Sequence, residues 1–305
     1  MNDRKQQVTV VIVTYQSRNT IEATLEGLRQ ARDTGLAEIV VVDNASNDNT
    51  ADFVADNYPW VKLIRSPDNL GYGRGCNLGC RNITTPYVLI LNPDAVVDAH
   101  TLQILVDFME THQRAGIAAP AIIEGDKSHQ AAGLMTTPIS LLKAEFGVRQ
   151  AMPQSRRIIP GEPPFQTSWV CGAVMLIRTN IFHRLGGFDP RFFLYFEETD
   201  LCRRFSKQGA EIWAVGKAVA RHIGGASAKA TGQSLKSSCI AEHYYRSRFY
   251  YLVKHFGWIR AIGTEVIVST SQTIKSLRKN DKGRYVKDDG CRPFLRFPAP
   301  PGGSP

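Results

Sequence analysis

Residues Val8–Val13 (VTVVIV) form an unbroken β-branched run, and Glu38–Val42 (EIVVV) is a second apolar run of the same kind. A strand that is apolar at successive positions, not at alternate ones, has to be covered on both faces, which is the condition of a strand inside a parallel sheet. Between the runs, Thr20–Ala31 sets Ile21, Leu25 and Leu28 at helical spacing. The chain therefore opens with a strand–helix–strand unit, closed by a right-handed crossover.

The alternation continues. Ser46 or Asn47 can cap a helix over Thr50–Asn57, followed by a strand at Val61–Arg65, a helix over Gly75–Asn82 and a strand at Tyr87–Leu91 (YVLIL). That strand stops at Asn92-Pro93-Asp94, because proline cannot donate to the ladder. A helix over Leu102–Met109 and strands at Ile117–Ile123, Val174–Ile177, Ile212–Val215 and Ala218–His222 complete the pattern. Residues 124–168 show little periodicity and read as a long mobile connection. The fold class is α/β, with a Rossmann-like, mostly parallel central sheet flanked by helices and a C-terminal helical extension.

In such a sheet, ligands bind outside the carboxyl ends of the strands. Thr14/Tyr15, Asp43/Asn44 and Asn92/Asp94 stand at three of those ends. Hydroxyl, carboxamide and carboxylate groups converging there suit a nucleotide and a metal, although Asp and Asn also suit ordinary turns. Asp94, oxygen ligands near it and the imidazole of His222 would suit Mg²⁺ or Mn²⁺ held largely by a diphosphate, since these ions take few protein ligands and keep waters. A histidine alone at a strand end otherwise reads as a packed, satisfied side chain.

A second acidic site lies downstream, in GFDPRFFLYFEETDLCRR, where Glu197, Glu198 and Asp200 follow Phe192, Phe193, Tyr195 and Phe196. Apolar surroundings raise a carboxylate's pKa toward the range of a working base. The same acids would also suit the first turn of a helix over Glu198–Gln208. Adjacent residues point in different directions, so one of Glu197 and Glu198 faces a substrate, and Glu198 is expected to be that residue.

VVIVTY, VVDNASND, NLGYGRGCNLG, LNPDA, WVCGA, GGFDPRFFLYFEETDLCRR and RHIGGAS, in that order, resemble the motifs of family 2 glycosyltransferases, in the branch containing bacterial rhamnosyltransferases. The likeness spans about residues 8–255. It implies a GT-A fold, a nucleotide-sugar donor, a divalent metal and inversion at the anomeric centre. By position it places Thr14 and Tyr15 by the nucleotide, Asp43 and Asn44 by its base or ribose, and Asp94 on the last acid of the metal motif. Asn92 stands at the first acidic position of that motif, a departure toward the NPD form of this branch. Glu198 falls on the catalytic base with Glu197 beside it, Asp200 on a group orienting base or acceptor, and His222 on a metal ligand. Trp169 and Gly172 fall on the acceptor side. Gly71–Gly75 lacks the spacing of a dinucleotide fingerprint. Its glycines are read as letting the backbone approach the donor, with Arg74 as a diphosphate contact. The implied division is a GT-A domain over 1–235 (nucleotide-sugar half 1–123, acceptor half 124–235), a basic, aromatic helical extension over 236–279 and a disordered tail over 280–305.

The formal net charge is +9, and residues 240–305 carry twelve Lys/Arg against five Asp/Glu, so +7 of it belongs to this segment. Charge confined to a tail argues against a nucleic-acid-binding face on the folded domain. Ala241–Trp258 mixes Tyr, Phe and Trp with Arg and Lys, and Ile259–Val268 is apolar but too short to span a bilayer. This segment either lies in a membrane interface or packs on its own domain or on a second copy of the chain. The polar start MNDRKQQ runs into Val8 without a secretory leader, which places the chain in the cytoplasm, peripheral on the cytoplasmic face of the inner membrane if the tail binds lipid. The six cysteines show no CxxC pairing and read as reduced packing residues. The donor expected from the resemblance is dTDP-L-rhamnose, with a UDP-hexose next, and the acceptor a glycan or polyprenyl-diphosphate-linked hydroxyl. The readings set against it are a catalytically inactive carbohydrate-binding homologue and a nucleotidyltransferase. The latter would want a basic, glycine-rich loop where Tyr15–Asn19 stands.

Overall fold

The computed structural model describes residues 6–125, 128–147, 155–222 and 239–280, with backbone alone for 239–241 and 276–280. The tail expected over 280–305 lies, from residue 281 on, outside the described residues, as does the Gly224-Gly225 end of the last motif. Four parallel strands come first in the sheet: β1 (Val8–Thr14), β2 (Ala37–Asp43), β3 (Lys62–Arg65) and β4 (Tyr87–Leu91), in spatial order β3-β2-β1-β4. The sheet then runs through β10 (Val174–Arg178), β6 (Ala115–Glu124), β11 (Glu211–His222) and the two-residue β5 (Ala95–Val96), with β9 (Phe165–Thr167) also on β11. β6 and β11 are parallel to each other, whereas β10, β5 and β9 pair antiparallel. The mostly parallel α/β sheet read from the sequence is the one observed.

Helices cover both faces, as fully apolar strands require. Alternate residues of β1 divide between two cores. Val8, Val10 and Ile12 pack with Ile21, Leu25 and Leu28 of α1 (Ile21–Asp33) and Leu102, Leu105 and Met109 of α4 (Ala99–Thr111). Val11 and Val13 pack on the other side with Cys76 of α3 (Tyr72–Gly79), Phe182 of α6 (Thr179–Arg184) and Leu201 and Phe205 of α7 (Glu197–Lys207). Cys76, Cys80 and Cys202 are buried free thiols, in keeping with packing residues.

Three expectations change. The strands expected at Ile212–Val215 and Ala218–His222 are one strand, β11, whose register on β6 shifts between Val215 and Val219. A bulge there lets a single strand bend and take a new partner, so its first half meets β9 and its last two residues meet β5. Helix α2 (Thr50–Asn57) is preceded by Asn49 in the left-handed region, and the Thr50 N–H is taken by Asp48. Ser46 is already committed, accepting from Gln16 N–H and donating its own N–H to Asp43. Residues 124–168 hold regular structure despite their weak periodicity: β7 (Ala131–Ala132) pairs with β8 (Arg156–Arg157), and α5 (Pro138–Glu145) starts with a Thr137/Ser140 capping box.

Two C-terminal helices, α8 (Cys239–Phe256) and α9 (Trp258–Asn280), close the structure. α8 packs on the domain through Phe249, Tyr251 and Leu252, which form a third core with Phe192 and Phe196. α9 packs on α8 and α5, and Lys275 pairs with Glu145 at 2.7 Å. Among the described residues, no helix is long and apolar enough to cross a membrane.

Candidate active site

The carboxyl ends of β1, β2, β4, β6 and β11 bring the polar strand-end residues to one edge of the sheet. Thr14 sits opposite Asp43 in the β1–β2 register, and its hydroxyl donates to the Asp43 carboxylate at 3.1 Å. The second Asp43 oxygen accepts the Ser46 N–H at 3.1 Å. Tyr15, one residue past the strand, is 44% exposed. Asn44 departs from its expected place against base or ribose. It is buried, its amide donates to Asn69 (2.8 Å) and to the Gly71 carbonyl (3.3 Å), and its oxygen accepts the Leu70 N–H (2.9 Å). These bonds occupy its carboxamide in holding the 69–71 loop against β2.

At the far end of the edge, Asp94 meets His222 because the residue after it, Ala95, pairs with His222 in the β5–β11 ladder. The His222 Nε2 lies 3.1 Å from Asp94 and 3.4 Å from the Asn92 amide nitrogen. Its Nδ1 faces Glu124, which stands opposite His222 in the β6–β11 register, at 3.1 Å. Burial opposes protonation of His222, but the bonds and charges of Asp94 and Glu124 outweigh it and raise the pKa. With Nδ1–H directed at Glu124, Nε2 is left to face the Asp94 side, the arrangement by which a second carboxylate fixes a ligating imidazole. Among the described residues no cluster of three or more His, Cys, Asp or Glu forms a metal cage. One carboxylate and one imidazole on the edge fit a hard ion that takes its other ligands from a diphosphate and water, and do not fit a four-ligand zinc. Glu124 was missed in the sequence. It directly follows the strand expected over Ile117–Ile123, at the ligand-binding edge, so the strand-end rule that picked Asp94 would have reached it.

The second acidic site sits at the N-terminus of α7. Two successive non-glycine residues in the left-handed region, Tyr195 (φ 68°) and Phe196 (φ 67°), turn the chain into the helix. After this turn Glu197 points inward at 5% exposure, with Oε2 lacking a partner, whereas Glu198 remains partly open. Burial first, then the Glu198 charge, pushes the Glu197 carboxyl well up. Burial also raises Glu198, against the opposing pull of the helix N–H groups and Thr199. The indole N–H of Trp169 is buried without a hydrogen bond of standard geometry, yet lies near enough to Glu198 to favour its ionised form. Gly172 abuts the same side chain: a Cβ there would stand 3.3 Å from the Glu198 Cβ. Trp169, Gly172 and Glu198 are thus brought together.

The Trp169–Ala173 loop also joins the two acidic sites. Asn92 N–H donates to the Ala173 carbonyl, and Val174 pairs with Leu91, so the loop lies beside the end of β4. Burial, together with the charges of both Glu198 and Glu124, pushes the Cys171 thiol up to about 12. Tyr72, also missed in the sequence, donates its hydroxyl to the Gly172 carbonyl at 3.2 Å.

Asp200 and Gly75 both have structural partners. The Asp200 carboxylate is 0% exposed and is held by Arg204 (2.7 Å), His255 (2.8 Å) and Lys254 (2.5 Å), so it faces helix α8 and not a substrate. Gly75 and Gly79 face β1, where a Cβ on Gly75 would come within 2.8 Å of Val13. They serve close helix–sheet packing and not approach to a donor. Arg74 is exposed on the outer side of α3.

Solved structures share this fold. GalNAc-T7 with UDP, GalNAc and Mn²⁺ superposes with a TM-score of 0.58 at 18% identity, over 72% of this chain and 44% of that one. The Pyrobaculum calidifontis mannosyltransferase PcManGT, in complex with GDP-Man and Mn²⁺, gives 0.51 at 18% identity over 92% and 80%. Among curated relatives, the N-acetylglucosaminyl-diphospho-decaprenol L-rhamnosyltransferase of Mycobacterium tuberculosis is 29% identical over 273 residues, 83% of this chain and 86% of that protein. The dTDP-rhamnosyl transferase RfbF of Shigella flexneri is 25% identical over 288 residues, 92% of each. The sequence pattern of glycosyl transferase family 2 matches residues 9–186, more than half of the chain, and the chain belongs to that family of glycosyltransferases with a GT-A fold.

Proposed function

We propose that the protein is an inverting, metal-dependent transferase that moves L-rhamnose from dTDP-L-rhamnose to a hydroxyl of a lipid-linked or polysaccharide acceptor in cell-envelope glycan synthesis. The observation that carries this reading is the partly open Glu198, its pKa raised, across the Trp169–Ala173 loop from the Asp94–His222 pair. A glutamate so raised is a stronger base than an exposed one at the same pH. Its part is to accept the proton of the attacking acceptor hydroxyl as the oxygen bonds to the anomeric carbon and the nucleoside diphosphate departs from the opposite face. Glu197, inward and without a charge partner, keeps its proton and stays out of the transfer. Asp94 and His222, with Asn92 beside them, would hold Mg²⁺ or Mn²⁺, which when bound neutralises charge on the diphosphate. Residues 1–123 would form the nucleotide-sugar half and 124–235 the acceptor half. The names of the mycobacterial and Shigella relatives support rhamnose as the donor sugar, and the former supports a polyprenyl-diphosphate acceptor.

Contact with the cytoplasmic face of the inner membrane is part of the proposal. Trp258, Ile259, Ile262, Val266, Ile267 and Ile274 of α9 are exposed, and at 3.6 residues per turn they fall on one half of the helix. Exposed Arg260 and the +7 charge of residues 240–305 match an anionic lipid surface.

Thermal unfolding with a panel of nucleotide sugars, each with Mn²⁺, Mg²⁺ or chelator, tests the reading, since a ligand of the native state must raise apparent stability. Metal-dependent stabilisation by dTDP-rhamnose is expected, stabilisation by a UDP-hexose instead would move the donor, and silence across the panel would sink the transferase proposal. Glu198→Gln should bind donor as the wild type does and lose transfer by roughly a hundredfold or more. Normal turnover in that variant would remove Glu198 as the base.

A further inference from the structure

The loop that delivers Glu198 is held on one side by the C-terminal helix α8, while on the other the Tyr72 N–H of α3 donates to the Phe193 carbonyl at 2.8 Å. Tyr195 and Phe196 occupy a backbone region that side-chain-bearing residues adopt at a cost, and such strain persists only where the surroundings over-determine it. The largest part of those surroundings is α8. The Phe192 ring tilts against Tyr250 (4.8 Å), Phe193 stacks on His243 (4.5 Å), Tyr195 meets Tyr244 (5.8 Å) and Phe196 meets Tyr251 (5.4 Å). Between the rings, the Ser247 hydroxyl donates to the Leu194 carbonyl at 2.8 Å. Each residue from 192 to 196 thus has its own partner on one helix face.

An ionic clasp lies beside this row. Lys254 bridges Asp189 (2.7 Å) at the start of the loop and Asp200 (2.5 Å) in the first turn of α7. Asp200 also takes His255 at 2.8 Å, and Asp189 also takes Arg191 and the Tyr250 hydroxyl. Both aspartates are buried, so removing a cation leaves a charge that water cannot repay. On the other side of α7, Arg204 ties Asp200 to the Leu185 and Gly187 carbonyls. The clasp therefore fixes both ends of the segment 189–200, and the aromatic row fixes its middle.

Resting on the transferase reading of Glu198, we propose that α8 is a positioning element of the active site. In this view Lys254 and His255, acting through Asp200, and the tyrosines that back Tyr195 and Phe196 hold the strained entry to α7 so that Glu198 faces the acceptor hydroxyl. None of these residues touches substrate. The C-terminal helix would then be required for the chemical step without being required for donor binding, which rests on the strand ends at Thr14, Asp43 and Asp94.

The test compares Lys254→Met and His255→Gln with Lys254→Arg, which keeps the charge, and with Lys275→Met, which breaks the α9–α5 ion pair away from the clasp. For each, kcat, donor Kd by calorimetry and amide hydrogen exchange of residues 189–201 are measured. Displacing a catalytic group by about 1 Å costs up to roughly a hundredfold, so kcat should fall about tenfold to a hundredfold in the Met and Gln variants, with donor Kd within about twofold of wild type. Exchange across 189–201 should quicken while the β1–β4 peptides stay protected. Lys254→Arg should recover most of kcat, and Lys275→Met should match wild type. Should Lys254→Met fail to fold, Tyr244→Ala removes one half-exposed ring from behind the turn and is expected to give the same split. Wild-type kcat with unchanged exchange would overturn the proposal, as would donor affinity lost in step with kcat. If the wild type binds no nucleotide sugar, the transferase reading fails, and the exchange of 189–201 still decides whether α8 holds the turn.

Discussion

Glu197 and Glu198 are neighbours in sequence and opposites in environment. Only the left-handed pair before them decides which one is buried, and backbone dihedrals of that kind leave no mark in composition or periodicity. For this reason the acid pair was legible in the sequence and its division of labour was not. The burial of Glu197 has a consequence for stability. Its folded pKa lies well above the ordinary 4.5, so the folded protein keeps a proton that the unfolded chain releases. Stability from this site is complete below the unfolded pKa and is lost as pH rises toward the folded one. Glu197→Gln cannot titrate, so its stability relative to wild type should grow as pH rises above the ordinary carboxylate range toward the raised folded pKa, by up to about 1.4 kcal/mol per unit. Denaturant unfolding of both proteins across that range checks it, and parallel profiles would mean that Glu197 ionises freely in the fold. Glu124 was within reach of the strand-end rule, but its pairing with His222, like that of Tyr72 with Gly172, spans almost a hundred residues or more and is a property of register.

At the scale of elements, β1, β2, β4 and β6 were legible to within a residue or two because a strand buried on both faces must be apolar throughout. β5, β7 and β8 were not, because two residues carry no period. The insertion of antiparallel β10 between β4 and β6 was equally hidden, since strand order is set by which faces fit and not by local pattern. Helix α3 shows how a motif can be seen and misread. Gly71–Gly75 reads as a segment made for a ligand, yet Gly75 lies four residues before Gly79 and shares with it the helix face laid on Val13 and Val11. Gly75→Ala is expected to overpack this contact and cost about 1–3 kcal/mol in denaturant unfolding, with metal-dependent nucleotide affinity unchanged in the folded fraction. An affinity loss with unchanged stability would return the glycine to the donor site.

The molecule as a whole carries its charge at one end, and the structure gives that end two faces. The inner face of α8 serves the domain: His243, Tyr244, Tyr250 and Tyr251 pack on the loop before Glu198. The outer face of α9 is apolar, with Ile259 89% exposed, and Arg260 is exposed beside it. A surface of this kind can gain from lipid in two separable ways, by burying side chains below the headgroups and by Coulomb attraction screened over about 8 Å at physiological salt. Co-sedimentation should therefore show binding to vesicles containing about one-third anionic lipid, weaker binding to neutral ones, and partial loss between low and physiological salt. Ile262→Asp combined with Val266→Asp puts two charges in the middle of the apolar face and should abolish sedimentation at every salt concentration. The same variant should bind nucleotide as before, because the residues proposed to hold the donor lie on the sheet edge and not on α9. Equal sedimentation of variant and wild type would show that lipid does not meet this face. A wild type that ignores anionic vesicles but runs as a dimer would leave a second copy of the chain as the occupant of the face.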